Sequence, residues 1–181
     1  MPDFSKDPII NVIHRQIKQG IRVTIDNECF GSALILIYSG IDTMAFLNMP
    51  PNQEDVTRTD FIVWTEKYIQ FPCKEQVTGL ELYGARCGLL HSYTIFSKLS
   101  RERKCRYIGY TDQMIPEIKY DKEINVDFVM VSIKAFADAF MRGIDQFLID
   151  VFSDSEKARI VEQRLGKLIH LFSANETRDG T

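Results

Sequence analysis

This chain has neither an excess of basic residues nor a pattern of paired cysteines. Its formal net charge is −3 at pH 7, so no overall positive field marks a nucleic-acid-binding protein. The four cysteines stand singly, with no CxxC pair and no Cys/His set at zinc-ligand spacing: Cys29, Cys73, Cys87 and Cys105. Such isolated thiols are typical of a reducing compartment, and we therefore expect a cytoplasmic protein.

Uninterrupted apolar runs and low-complexity linkers are also missing. Serines, a glycine and Asp42 interrupt the most apolar stretch, residues 29–49, which predicts a buried core helix and no membrane span. Residues 1–7 lack the basic start and apolar core of a signal peptide. With no repeat and no Pro/Gly/Ser-rich linker, we expect one domain over residues 1–174 and a disordered tail at 175–181.

The spacing of apolar residues predicts an all-α fold, a helical bundle of five to six helices. Residues 106–131 differ, because they are rich in β-branched and aromatic side chains; they fit a short β-hairpin or an irregular excursion. The expected helices run from Ile9 to Gly20, from Asp26 or Asn27 to Asn48, from Thr57 or Thr59 to Ile69, from about Val77 to Leu99, from Ile133 to Val151 and from Ser153 to Phe172.

The fourth predicted helix carries the residues best suited to chemistry, Arg86, His91 and Tyr93. At 100° per residue, Arg86 and Tyr93 lie on one stripe at the edge of the core face. His91 lies on the opposite side, together with Gly84 and Gly88. Spacing alone therefore does not bring arginine and histidine together. Either the arginine side chain reaches around, or the helix ends nearby, or a second subunit completes the site.

The two glycines inside this helix indicate that something approaches the helix closely. Each costs about 1 kcal/mol relative to alanine, so an interior pair has a packing or functional reason. Gly84 and Gly88 are one turn apart and flank the face that carries His91. The approaching group is a partner helix, a substrate backbone or another part of the same chain.

Asp42 is the expected partner of Arg86. A half-buried arginine needs an anion, and Asp42 is the only charged residue between positions 29 and 53. The pair is sufficiently explained as a structural ion pair. It is also compatible with function, because a carboxylate that orients the guanidinium preorganises it for a phosphate.

Arginine and histidine together suit the cleavage of RNA. A histidine can take the proton from a ribose 2′-hydroxyl or protonate the leaving 5′-oxygen near neutral pH. An arginine can stabilise the charge that develops on the nonbridging oxygens. Since the 2′-hydroxyl is the nucleophile, no metal or other cofactor is required, and the products would be a 2′,3′-cyclic phosphate and a 5′-hydroxyl. Arg86 and His91 are thus the candidate catalytic residues.

A basic segment follows the fourth helix. Two tyrosines come directly after it, Tyr107 and Tyr110, and they could stack on bases. The segment is either a track for RNA phosphates or an ordinary solvated helix end, where cations favour the helix dipole. Its five basic residues lie within nine positions and are opposed by one glutamate: Lys98, Arg101, Arg103, Lys104 and Arg106.

The sequence Arg86-Cys-Gly-Leu-Leu-His91 resembles the Arg-x4-6-His motif of the HEPN superfamily. With Tyr93 it is also similar to the Arg-x4-His-x-Tyr form of HEPN toxins whose antitoxins are minimal nucleotidyltransferases. The resemblance implies a metal-independent endoribonuclease that acts as a homodimer, with two motifs facing each other across a cleft. It further implies a role in toxin–antitoxin modules or antiviral defence.

Two supporting residues follow from the same resemblance. Tyr93 matches a tyrosine that the nucleotidyltransferase partner modifies to silence the toxin. Cys87 stands directly after the arginine, where the family commonly has a polar residue that supports the site. Some members of the superfamily lack activity, so the alternative is a non-catalytic HEPN-like helical dimer that binds a nucleotide or a protein partner. A metal-dependent hydrolase is disfavoured, because the aspartates are dispersed and no HExxH pattern exists.

Overall fold

A computed structural model describes residues 7–114 and 116–169 of the chain. The fold is mainly helical, as expected, and it includes a small β-sheet. A π-helical segment, Ile9–Gln19, opens it. The α-helices are α1 Gly20–Asp26, α2 Phe30–Asn48, α3 Arg58–Tyr68, α4 Gly79–Ser92, α5 Lys98–Arg101, α6 Ile133–Phe152 and α7 Ser155–Leu165. The strands are β1 Tyr107–Thr111, β2 Ile118–Lys119 and β3 Phe128–Ser132.

The first helical stretch is longer than predicted. Gly20 does not end it, because this residue has helical dihedral angles and the π-helical segment continues directly into α1. The chain turns at Glu28, which adopts a left-handed conformation with φ 56°. α2 therefore begins after Cys29, and the predicted cap at Asp26 or Asn27 is wrong.

α2 is the central helix of the fold. It packs against α1, α3, α4, α6 and α7. By length and composition α2 could cross a membrane, but half of it is buried within the fold, which is the arrangement of a core helix. Arg164 of α7 closes its carboxyl end by donating hydrogen bonds to the carbonyls of Leu47, Met49 and Pro50. These bonds satisfy carbonyl groups that the helix end leaves without partners.

An aromatic cluster joins α3 to α6. Trp64, the single tryptophan, is fully buried. Its ring lies 5.2 Å from that of Tyr68, 5.9 Å from that of Phe140 and 6.3 Å from that of Phe147. Aromatic pairs of this kind contribute about 0.5–1.5 kcal/mol each beyond the burial of their area. The buried apolar side chains of the helices and of the sheet form one continuous core.

The three strands have the order β1-β3-β2. β1 and β3 pair in parallel, from Tyr107 opposite Phe128 to Thr111 opposite Ser132. β2 pairs with β3 in antiparallel fashion. The β structure expected at residues 106–131 is therefore present, but it is more than a hairpin, because the parallel pairing of β1 with β3 requires the chain to cross over between them. The predicted tail at 175–181 lies outside the described residues.

Candidate functional site

α4 begins and ends at well-defined caps. The Thr78 hydroxyl accepts a hydrogen bond from the backbone N–H of Glu81, whose carboxylate accepts one from that of Thr78. The helix ends at Ser92, seven residues before the predicted Leu99. Tyr93 then adopts a left-handed conformation with φ 53°, which turns the chain out of the helix.

The segment after Tyr93 folds back over the glycines of α4. A Cβ on Gly88 would lie 2.6 Å from the carbonyl oxygen of Thr94 and 2.9 Å from that of Phe96. A Cβ on Gly84 would lie 3.1 Å from the Cys105 sulfur. The close approach predicted from these glycines is therefore made by the same chain, and it leaves no room for a partner helix or a substrate at these two positions.

The predicted ion pair between Asp42 and Arg86 is confirmed. Nε and Nη2 of Arg86 donate to the same oxygen, Oδ2 of Asp42, at 3.0 and 2.8 Å. The two side chains are 23% and 28% exposed, so the pair lies at the boundary between core and solvent. Burial raises the pKa of Asp42, and the hydrogen bonds from Arg86 offset this only in part. Burial acts to lower the pKa of Arg86, but Asp42 and the contact with Cys87 raise it above its ordinary value.

Arg86 also reaches His91. Nη1 of Arg86 lies 3.5 Å from Nε2 of His91, at the outer limit of hydrogen bonding. The His91 side chain is exposed. Two of the three routes left open by the sequence apply within one chain: the arginine side chain reaches towards the histidine, and α4 ends at Ser92, one residue after it. The site thus presents a guanidinium nitrogen beside a solvent-accessible imidazole.

The two supporting residues are close to this pair along the chain: Cys87 directly follows Arg86, and Tyr93 is two residues after His91. Cys87 is half-buried beside Tyr83, whose pKa is raised by burial and, secondly, by Cys87. Tyr93 is 64% exposed. Its ring lies over the first turn of α2, since a Cβ on Gly31 would be 1.7 Å from the Tyr93 hydroxyl. Tyr93 is therefore accessible at the end of the helix that carries Arg86 and His91.

The basic segment is only partly free to meet a ligand. Lys98 and Arg101 are exposed on α5, and Arg101 has no ion-pair partner within residues 7–114 and 116–169. Glu102 lies 2.7 Å from the ammonium nitrogen of Lys104 and 3.8 Å from that of Lys98. Arg103 lies 3.7 Å from Asp127. The contacts of Lys98 and Arg103 are long and largely solvated, and such surface pairs are weak.

Arg106 has a different environment from the rest of the segment. Its Nε and Nη2 donate to the carboxylate of Glu81 at 2.5 and 3.0 Å, and Nη2 also donates to the Gln76 carbonyl at 3.1 Å. The guanidinium lies 4.4 Å from the centre of the Tyr120 ring. The charge of Arg106 is thereby matched inside the fold, so this residue joins β1 to α4 and is not available as the RNA contact predicted from the sequence.

The two tyrosines expected to stack on bases are also held by the fold. The Tyr110 hydroxyl forms a hydrogen bond with that of Tyr38, which is fully buried in α2. The ring of Tyr107 is half-buried and lies between those of Phe96 and Phe128. Phe96 falls within the predicted fourth helix, but α4 ends before it and its side chain is exposed. Sequence reasoning missed this residue, and a weak helix propensity after His91 was the only available signal.

Among the residues that the structure describes, no three His, Cys, Asp or Glu side chains are grouped closely enough to hold a metal ion. Comparisons of the chain with protein families, with curated proteins and with solved structures found no match. The likeness to the HEPN superfamily therefore depends on the motif in α4, and the function has to be argued from the geometry of Arg86, His91 and Asp42.

Proposed function

We propose that the protein is a metal-independent endoribonuclease with a HEPN-type helical bundle. The observation that supports this most directly is that one guanidinium contacts both a carboxylate and an imidazole. One side of Arg86 is bound by Asp42, and the other side lies beside the exposed imidazole of His91. A phosphodiester placed against these nitrogens would meet a fixed positive charge and a proton-transfer group together.

In the proposed reaction, the 2′-hydroxyl of one ribose attacks the adjacent phosphorus and the bond to the 5′-oxygen breaks. His91 transfers a proton, either from the attacking hydroxyl or to the leaving oxygen. Nη1 of Arg86 stabilises the charge on the nonbridging oxygens, while Asp42 holds the guanidinium in place. Charge and atoms balance within the RNA, so the step consumes no water and releases a 2′,3′-cyclic phosphate and a 5′-hydroxyl.

The wider context is part of the same proposal. The protein acts in the cytoplasm as a toxin or defence factor, and two copies form the active homodimer. A second His91 across the dimer would supply the other of the two proton transfers. A nucleotidyltransferase antitoxin would silence the enzyme at Tyr93, whose exposed position is compatible with enzymatic modification.

Cleavage by purified variants tests the proposal. Wild type should cleave RNA in the presence of EDTA and leave cyclic phosphate ends. His91→Ala should lower kcat by about 10²–10⁴-fold, the range for loss of a general acid or base. His14, also exposed and remote in sequence, offers the matched control, because His14→Ala should retain full activity. Retained cleavage in His91→Ala, or its loss with EDTA, would contradict the mechanism.

The alternative is a non-catalytic HEPN-like dimer that binds a nucleotide or a protein partner. The ion pair between Asp42 and Arg86 supports it to some extent, because a structural role accounts for both residues. In that case Arg86→Ala should lower the melting temperature, while neither wild type nor variant cleaves RNA in any assay.

A further inference from the structure

Three aromatic rings lie in a row beside the catalytic helix. The rings of Phe96 and Tyr107 are 5.0 Å apart, and those of Tyr107 and Phe128 are 5.2 Å apart. We call these three residues the aromatic row. Phe96 is its outer member and is 46% exposed.

The inner part of the aromatic row is firmly held. Asn125 donates a hydrogen bond to the Tyr107 hydroxyl at 3.0 Å. The Phe128 ring lies so close to Gly109 that a Cβ there would be 2.4 Å from it. Phe96 therefore lies against a supported ring while part of its surface is open to solvent, and this is the preorganisation that a stacking site requires.

The backbone places Phe96 close to the proposed active site. Its carbonyl oxygen would lie 2.9 Å from a Cβ on Gly88. Gly88 precedes His91 by three residues on the same face of α4, a rise of about 4.5 Å. The backbone of Phe96 thus packs against α4 about one turn before the histidine.

The charge around Phe96 indicates what covers it. Lys98 is two residues away with 81% of its side chain exposed, and Arg101 follows on the same short helix. An exposed ring next to cations suits a nucleobase and its phosphates, because bases stack on aromatic side chains while cations bind the backbone. The core of a protein interface, in contrast, is depleted in charged residues.

We propose that Phe96 is a stacking platform for an unpaired base adjacent to the scissile phosphate, and that the substrate is single-stranded RNA. This inference rests on the proposed function, since it places RNA at His91. A base inside a duplex is already stacked on its neighbours, so it cannot occupy the platform without being unpaired. Lys98 and Arg101 would then hold the phosphates that continue from the stacked nucleotide.

Binding measurements with His91→Ala protein test the inference without cleavage of the probe. A fluorescent single-stranded RNA oligonucleotide should bind more tightly than a duplex of the same length. Adding Phe96→Ala should weaken single-strand binding by about 5- to 150-fold, the loss expected for one stacked base. Phe96→Trp should retain affinity, whereas Phe96→Leu should be as weak as alanine, because leucine is apolar but has no ring. Ile124→Ala provides the control, since Ile124 is 80% exposed and lies outside the aromatic row.

Several outcomes would overturn the inference. They are equal affinity of Phe96→Ala and its parent, full retention of affinity by Phe96→Leu, or equal binding of duplex and single strand. Conversion of a dimer to a monomer by Phe96→Ala, seen by ultracentrifugation, would show that a second copy covers the ring instead. Failure of the proposed function would appear in a different experiment, the cleavage assay, as no cleavage or as cleavage that does not depend on His91. The binding measurements would still show whether Phe96 contacts RNA.

Discussion

Arg86 binds Asp42 through Nε and Nη2, which leaves Nη1 facing His91 at 3.5 Å. One guanidinium therefore belongs to the helix packing and to the candidate site at the same time. Removing Arg86 would disturb both, so an effect of Arg86→Ala on cleavage does not by itself separate chemistry from structure. Changes at Asp42 and in the surrounding segments separate them better.

Asp42→Asn is expected to lower RNA cleavage about tenfold and to change the free energy of unfolding by less than about 1 kcal/mol. The amide has the size of the carboxylate but no charge to orient Arg86. The substitution should change stability little, because burial already disfavours the ionised form of Asp42, as its raised pKa indicates. Urea unfolding and kcat/KM on one RNA substrate provide the measurement. Unchanged cleavage would remove Asp42 from its proposed positioning role.

Replacing Gly88 and Gly31 by alanine is expected to have different effects on stability, because a Cβ at each position would meet a different obstacle. Gly88→Ala should destabilise the protein by about 1–3 kcal/mol, because its Cβ would meet two backbone carbonyl oxygens that cannot move independently. Gly31→Ala should leave stability unchanged or raise it by up to about 1 kcal/mol, since alanine is the better helix former. There the obstacle is the tip of the exposed Tyr93 side chain, which can turn away. Urea unfolding of both variants decides this, and equal destabilisation would contradict the described path of residues 94–97.

The basic segment should separate into two kinds of residue. Arg101→Ala should weaken RNA binding, reduce its salt dependence by about one phosphate contact and leave thermal stability unchanged. Arg106→Ala should leave RNA binding and its salt dependence unchanged but destabilise the fold by about 1–3 kcal/mol, because the buried Glu81 carboxylate loses its ion-pair partner. Salt titration of binding and thermal unfolding distinguish the two. A loss of salt dependence in Arg106→Ala would restore it to the RNA-contacting set.

Acid stability is expected to depend on Asp150. Hydrogen bonds from Lys67 and then Gln146 lower the pKa of Asp150 to about 2. The folded-state pKa is thus below the value of about 3.9 in the unfolded chain. The ionised Asp150 carboxylate therefore stabilises the folded state above about pH 3.9, and this stabilisation is lost as the pH falls towards 2. Unfolding measured between pH 5 and pH 2 should show a weaker pH dependence in Asp150→Asn and in Lys67→Met, and the double variant should behave like Asp150→Asn.

Local signals predicted much of what positions the site. Thr57 caps α3, one of the two threonines predicted to do so, whereas α7 is capped by Asp154, one residue after its predicted start at Ser153. The ion pair of Asp42 and Arg86 was predictable because a lone carboxylate in an apolar helix needs a cation, and the structure confirms it.

Features that depend on distant partners were not predictable in this way. α4 ends at a tyrosine in a left-handed conformation, where glycine or asparagine would have given the signal. The partner of Arg106 is Glu81, 25 residues earlier, so the charge count of the basic segment overestimated its free charge. The parallel pairing of β1 with β3 is a long-range choice that alternation within one strand cannot indicate.

The buried position of Trp64 has a practical consequence for all of these experiments. As the single tryptophan, surrounded by Tyr68, Phe140 and Phe147 and shielded from water, it gives the protein one built-in fluorophore at the contact of α3 and α6. Its emission should be blue-shifted and poorly quenched by acrylamide in the native state, and should shift to the red on unfolding. Stability can thus be followed in the unlabelled chain, by a signal from a residue that none of the proposed substitutions changes.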